Sequence, residues 1–391
     1  MLKCASLYTF ELDSPELALE EIKTQLAEKI VLQKNTVGIV MCHPEFILSG
    51  ILQHIGENLP FDLAGVTTSS QCVNDEVGEQ ILTIFVMTSD DVQFVAGITE
   101  SVEEDVENPV QVAFGKVPPG MVGGPKLILA FPPLLIQYAG EAYIRAFEKV
   151  APNVPVYGTL AVDDNVDFRD SQTIYRDTCS KNAMSYVLCY GNINPRFIVG
   201  SLPLEKTLPF KGTVTKSSGP FVQTINDISS YKYFEGIGAA KHGILSESYL
   251  FVPFAIHQKQ RSDYDGIPVI RVLTTFTEEG AAIFRGDVDE GSTFTMLNNN
   301  DSDILDNSKQ NAEQINKLED VAGAMLFSCI IRRMVTIHPN SVAELQNVRN
   351  SISPNIPFMM GYAGGEICPT SIRDGVPANR FHNHSLIILV V

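Results

Sequence analysis

Tryptophan is absent from this chain of 391 residues, and basic side chains are scarce: 28 Lys and Arg stand against 46 Asp and Glu. The resulting net charge of −18 repels phosphate backbones, so nucleic acid is excluded as a partner of the general surface. The same repulsion disfavours docking on anionic lipid. No run reaches the ~18 consecutive apolar residues of a membrane-spanning helix. The opening residues, Met1-Leu2-Lys3-Cys4 and then Leu12-Asp13-Ser14, lack the apolar core of a secretory signal. Seven cysteines, at 4, 42, 72, 179, 189, 329 and 368, form no Cys-x-x-Cys pair. Most sit inside apolar runs, as buried free thiols do, and a reducing cytoplasm is the expected setting. Enzyme signatures are missing as well. Ala113-Phe114-Gly115-Lys116 lacks the glycine spacing of a phosphate loop, and neither His-Glu-x-x-His nor Gly-x-Ser-x-Gly occurs. A hydrophobic content of 45% excludes a largely disordered chain, and the length at ~150 residues per unit allows two or three of them.

What is present is a repeat. Val37–Cys42 reads as a buried strand, followed by a helical pattern on Ile47, Ile51, Leu52 and Ile55, then Asn58-Leu59-Pro60-Phe61 and a short strand closing at Gly65. Residues 126–158 follow the same plan. A strand at 126–131 precedes a helix on Ile136, Ala139, Tyr143, Phe147 and Val150, then Asn153-Val154-Pro155-Val156 and Gly158. A third copy runs from Gly323–Cys329 through a helix on Val342, Leu345, Val348 and Ile352, opened by a capping box Ser341-x-x-Glu344. Asn355-Ile356-Pro357-Phe358 and Gly361 finish it. Each copy then reaches another apolar strand, at 81–86, 184–190 and 385–391.

Between the second and third copies, residues ~200–300 alternate in the manner of antiparallel strands, at 212–216, 249–256, 269–275 and 281–285. Asn298–Asp303 reads as a polar turn and Ser308–Leu318 as an exposed helix. Ser14 and Pro15 open an N-terminal helix on Leu19, Ile22, Leu26 and Ile30. The acidic, then Gly/Pro-rich stretch 101–124 reads as a linker. The expected fold is α/β to α+β, with repeated strand–helix–strand–strand units in mixed sheets and an antiparallel β-rich segment between repeats two and three. The expected division is 1–200 and 201–391.

The tail Leu326-Phe327-Ser328-Cys329-Ile330-Ile331-Arg332, then Gly361-Tyr362-Ala363-Gly364-Gly365-Glu366-Ile367, then Phe381-His382-Asn383-His384-Ser385-Leu386, resembles the C-terminal half of FIST proteins. Gly65–Ser70 and Gly158–Ala161 look like the corresponding N-terminal loops. Ile331, His384 and Ser385 depart from the family pattern, which usually carries Gly, Gln and Thr there. The resemblance implies a FIST N-terminal domain over 1–200 and a FIST C-terminal domain over 201–391. It implies a stand-alone ligand-binding sensor that acts on a separate signalling enzyme, such as a histidine kinase or cyclic-nucleotide enzyme. Some members bind haem and sense nitric oxide. A homodimer is compatible with such a module.

The loops at 65–72, 158–165 and 361–370 are expected to gather at the carboxyl ends of their strands, where α/β sheets place ligands. Gly361, Gly364 and Gly365 would let a ligand approach the backbone, and Glu366 offers a carboxylate. Arg332 is either a bidentate clamp for a carboxylate ligand or the partner of Glu366 across the mouth. His382 and His384 share one face of an extended chain, so both could approach one metal; the alternative is a hydrogen-bonded strand edge. The family motif favours His382 as haem-iron ligand, with His384, Cys368 and His43 as further candidates. Asp163-Asp164 is a weaker cation candidate. Three functions follow: a haem-based sensor, a haem-free sensor of a small acid or amino acid, or an enzyme using Arg332, Glu366 and His382 on a bound acid.

Overall fold

The computed structural model describes residues 1–116, 121, 123–165, 167–246, 249, 251–258, 267–336 and 341–391. Its first unit runs β1 (Lys3–Thr9), α1 (Pro15–Lys29), β2 (Asn35–Cys42), α2 (Glu45–Leu48), α3 (Ile51–Asn58) and β3 (Asp62–Thr67). A hairpin of β4 (Gln71–Val73) and β5 (Val77–Gly78) then leads to β6 (Leu82–Ser89). The second unit has β7 (Val92–Ser101), α4 (Glu107–Gly115), β8 (Leu127–Phe131), α5 (Gly140–Val150) and β9 (Val156–Thr159). Its hairpin is β10 (Thr173–Tyr175) and β11 (Thr178–Ser180), and its last strand is β12 (Ala183–Gly191).

The third unit opens with β13 (Arg196–Gly200) and is then interrupted. The interruption comprises β14 (Thr207–Ser218), β15 (Phe221–Ile225), β16 (Ile228–Ser229), α6 (Ser230–Gly236), β17 (Ala240–Lys241) and β18 (Ile244–Leu245). It continues with β19 (Pro253–His257), β20 (Val269–Phe276), β21 (Ala282–Phe284) and β22 (Thr293–Leu297). The unit resumes as α7 (Asp301–Ile315), β23 (Ala324–Cys329), α8 (Ile330–Val335), α9 (Ala343–Ser351) and β24 (Phe358–Ala363). It ends with the hairpin β25 (Glu366–Arg373) and β26 (Val376–His382), then β27 (Leu386–Val390).

The three sheets have one topology. Their orders are β1-β6-β2-β3-β10-β11, β7-β12-β8-β9-β25-β26 and β13-β27-β23-β24-β4-β5. In each, β2 and β3, or their counterparts β8 and β9, and β23 and β24, are parallel, and the unit's last strand is antiparallel to the first of that pair. The hairpin that completes each sheet comes from a different unit: unit two supplies unit one, three supplies two, and one supplies three. The repeat read from sequence is therefore real, but its members are interlocked in a cycle.

Strand periodicity explains the layers. Val37, Ile39 and Met41 of β2, Leu127, Leu129 and Phe131 of β8, and Met325 and Phe327 of β23 all enter one central core. The alternate residues point outward: Val40 and Cys42, Ile128 and Ala130, and Ala324 and Leu326 each pack under the helices of their own unit. Every repeat glycine lies inside its strand rather than closing it. Gly65 pairs with Val40, Gly158 with Ala130 and Gly361 with Phe327. A Cβ on Gly65 would lie 1.7 Å from the Val40 carbonyl oxygen, and one on Gly158 1.7 Å from that of Ala130. Only glycine permits that approach.

Several sequence expectations change. The acidic stretch taken as a linker contains α4, whose place after β7 matches that of α1 after β1; residues 117–120 and 122 of it lie outside the described residues. Its Val106, Val110 and Ala113 pack in the second unit's core, so an apolar face hidden among carboxylates decides the structure. The first helical pattern breaks at Gly50, which has φ +78, into α2 and α3. Ile136 is 92% exposed because α5 starts only at Gly140. Asn298–Asp303 is more than a turn: Asn300 caps α7, its side chain accepting from the Asp303 N–H while the Asp303 carboxylate accepts from the Asn300 N–H. α7 buries Ile304, Ser308 and Ile315, so it is not an exposed helix. The Ser341–Glu344 capping box does not form, because Ser341 bonds Glu79 and Glu344 turns inward.

The antiparallel segment forms, although the strand expected at 249–256 begins only at Pro253 and residue 250 lies outside the described residues. It closes on itself as β14-β22-β19-β20-β21-β15 through the pairing of β14 with β15. Its interior is an edge-to-face cluster in which Phe254 contacts Phe234, Phe284 and Phe294. This barrel-like sheet sits inside the third unit, between β13 and α7, where the other two units have short connections. Among the described residues no helix is long and apolar enough to cross a membrane.

Candidate functional site

The three loops gather as the sequence implies. Thr68 Oγ1 donates to the Tyr362 carbonyl at 2.6 Å, the Val162 N–H to that of Thr67 at 3.2 Å, and the Gly364 N–H to that of Leu160 at 3.0 Å. Their meeting point is sealed: Thr68, Ser69, Ser70, Gln71, Asp163 and Glu366 are all buried.

Arg332 is fully buried behind this junction. Its partner is Glu344 rather than Glu366: Nε donates to Glu344 Oε1 at 2.9 Å. Nη1 donates to the His384 carbonyl at 3.2 Å, and Nη2 to Ser308 Oγ at 2.7 Å and the Ile304 carbonyl at 3.1 Å. These bonds leave no free fork for a ligand carboxylate. Glu366 has no fully formed hydrogen bond, although the Cys329 thiol and the Ser385 backbone lie beside it. Burial lifts its carboxyl well above the ordinary range, against the lowering by the Cys329 thiol and Arg332.

The two tail histidines diverge. His382 Nε2 meets the Cys368 carbonyl at 3.0 Å. His384 adopts φ +56, which breaks the extended geometry that would have aligned them. Cys368 is buried, and burial pushes its thiol well above the usual range. His43 belongs elsewhere: its Nε2 lies 3.3 Å from Asp164, and its Nδ1 accepts the Glu45 N–H at 3.3 Å. Asp163 is spent closing a loop, accepting N–H groups of Asn165 at 2.6 Å and Asp170 at 2.7 Å. Among the described residues no three His, Cys, Asp or Glu side chains are placed to hold a metal ion. Of the residues expected to hold haem, His382, His43 and Cys368 therefore do not fit it: both histidines are engaged and Cys368 is a buried neutral thiol.

Openings lie instead beside the barrel. A cavity of about 440 Å³ is bounded by Leu208, Tyr249, Phe251, Val252, Pro253 and Leu297 of the barrel, by Asn298–Asp301 and Ile304 at the start of α7, and by Val335 and His384. His384 is 2% exposed, and neither ring nitrogen closes a hydrogen bond, although the Phe251 backbone approaches the ring. Burial, then the nearby Arg332, holds its pKa down at about 3, so the imidazole is neutral. Asn299 Oδ1 is likewise buried without a partner. Phe251 shares the left-handed backbone of His384 with φ +63; two such non-glycine residues at one cavity mark backbone held in a costly conformation. A second cavity, of about 260 Å³, lies between the β8–α5 loop and β21, and Gly364 is in its wall. Gly361 and Gly365 serve packing, against Met41 and Phe381 respectively.

Sequence reading missed this arrangement because the barrel supplies most of the first cavity. The one local signal was the run Asn298-Asn299-Asn300-Asp301, polar beyond the needs of a turn.

Three interlocked α/β units, one interrupted by an antiparallel barrel-like sheet with cavities beside it, define the class of fold. Profiles of known families agree: the FIST N domain matches residues 36–228 and the FIST C domain residues 231–369. The chain belongs to the FIST family, whose domains are associated with sensing small ligands in signal transduction. No curated protein matches it.

Proposed function

We propose that this chain is a haem-free cytoplasmic sensor whose small ligand occupies the cavity at His384 and whose output passes to a separate signalling enzyme. The observation that carries it is a buried histidine whose ring, approached only by the Phe251 backbone, closes no hydrogen bond and borders about 440 Å³ of space. Among the described residues the lining has one charged side chain, Asp301, and no Lys or Arg, which favours a neutral or amine-bearing ligand with an apolar body. A route outward exists. His384 gives its carbonyl to Arg332, and Arg332 binds both α7 and Glu344 of α9, so filling the cavity bears on two surface helices. Seven free cysteines among the described residues support a reducing compartment.

Thermal-shift screening of free amino acids, amines and amides against wild type and His384→Leu tests the site. A ligand at 100 times its Kd should add about 2.7 kcal/mol of stability to wild type and little to the variant. Ligands that stabilise both proteins equally would place the sensor site elsewhere. Haem-supplied wild type should show no Soret band; a band that vanishes in His384→Leu would overturn the haem-free reading.

An enzyme built on Arg332, Glu366 and His382 gains no support. None of the three lines either barrel-flanking cavity.

A further inference from the structure

Arg285, immediately after β21, stands apart from the other arginines. Among the described residues each of the others has an ion-pair or hydrogen-bond partner: Arg332 on Glu344, Arg271 on Glu141, Arg145 on Asp287, Arg176 on Asp62 and Arg333 on Glu79, for example. Among the described residues the Arg285 guanidinium has none, in a chain where 46 carboxylates compete for 28 cations. It is half-buried and borders the 260 Å³ cavity. Burial lowers its pKa, as an unsatisfied cation in poor solvent requires.

The rest of that cavity is mostly apolar, with Leu135, Leu160, Phe284 and Phe381 in its wall, Ile136 at its exposed rim, and Thr274 and Thr275 as its neutral polar side chains. A lone fork-shaped cation at one point of an apolar pocket matches one ligand chemistry: a carboxylate on a short aliphatic or aromatic body. A phosphate or dicarboxylate would need further donors, and an amine would meet the guanidinium as a like charge. We propose that this cavity is a second binding site, distinct from the one at His384, which takes a small apolar monocarboxylate by pairing it with Arg285. Because the cavity lies between the barrel and the second unit, while His384 faces the barrel from the third, the two sites grip the barrel from different units.

Isothermal calorimetry with hexanoate, and with hexylamine as the opposite-charge control, tests this on the full chain. Hexanoate should bind wild type and hexylamine should not. Arg285→Ala should weaken hexanoate at least tenfold, Arg285→Lys should weaken it less, and His384→Leu should leave it within twofold. Absence of hexanoate binding to folded wild type, equal binding of hexylamine, or binding by Arg285→Ala within twofold of wild type would overturn the proposal. The hexanoate–hexylamine contrast in wild type remains decisive if Arg285→Ala fails to fold. Failure of the His384 site would leave these readings unchanged.

Discussion

Two regions of this protein carry the same residue types, an arginine and a histidine, and use them in opposite ways. At the sealed junction, Arg332 is saturated by Glu344, Ser308 and two carbonyls, and His382 by the Cys368 carbonyl. Beside the barrel, Arg285 has no partner among the described residues and the His384 ring, approached only by the Phe251 backbone, closes no hydrogen bond. At the junction the arginine and the histidine are spent on structure, although Glu366 there closes no hydrogen bond, while at the barrel flank they are held in reserve. Residue identity alone does not separate the two cases; saturation does.

The largest test of that contrast is stability. Arg332→Ala leaves Glu344 as an uncompensated buried charge and should cost about 3–5 kcal/mol in denaturant unfolding, whereas Arg285→Ala should fall within about 0.5 kcal/mol of wild type. Similar losses for both would erase the distinction. A smaller effect is pH-linked. The folded pKa of His384 lies below its unfolded value, near 3 against about 6.5, so the unfolded chain binds the extra proton between those limits. Its contribution to stability is therefore present above about pH 6.5 and is lost as pH falls toward 3. His384→Gln should flatten the stability–pH slope in that window by up to about 1.4 kcal/mol per pH unit, read from urea midpoints. An unchanged slope would mean the ring is solvated and the cavity open to water. The smallest effect concerns Ser341, which caps nothing: Ser341→Ala should change stability by less than about 0.5 kcal/mol, and a loss near 1 kcal/mol would restore the capping box expected from sequence.

The repeat was legible because buried strands alternate and because a backbone approach as close as that of Val40 to Gly65 tolerates no side chain, so the pattern is written in residue types. Barrel strands were legible for the same reason. Three things were hidden. The apolar face of α4 is short and lies among carboxylates, so charge masked helix. The partners of Arg332 come from α7 and α9, and no spacing rule links residue 332 to Ser308 or Glu344. The left-handed turn at His384 reversed a period-two expectation that held up to His382. The cavities were illegible for a plainer reason: each is a gap between surfaces that only the folded chain brings together.

The cyclic exchange of hairpins has a consequence for how the chain can be taken apart. A break after β12 would leave the second sheet without β25 and β26, and would leave β4 and β5 with no β24 to join. No single unit can complete its own sheet, so the three should lose structure together, in one transition, while the barrel can loosen on its own aromatic core. That asymmetry divides the molecule for unfolding: three units whose sheets are completed by one another, and one inserted part with an aromatic core of its own.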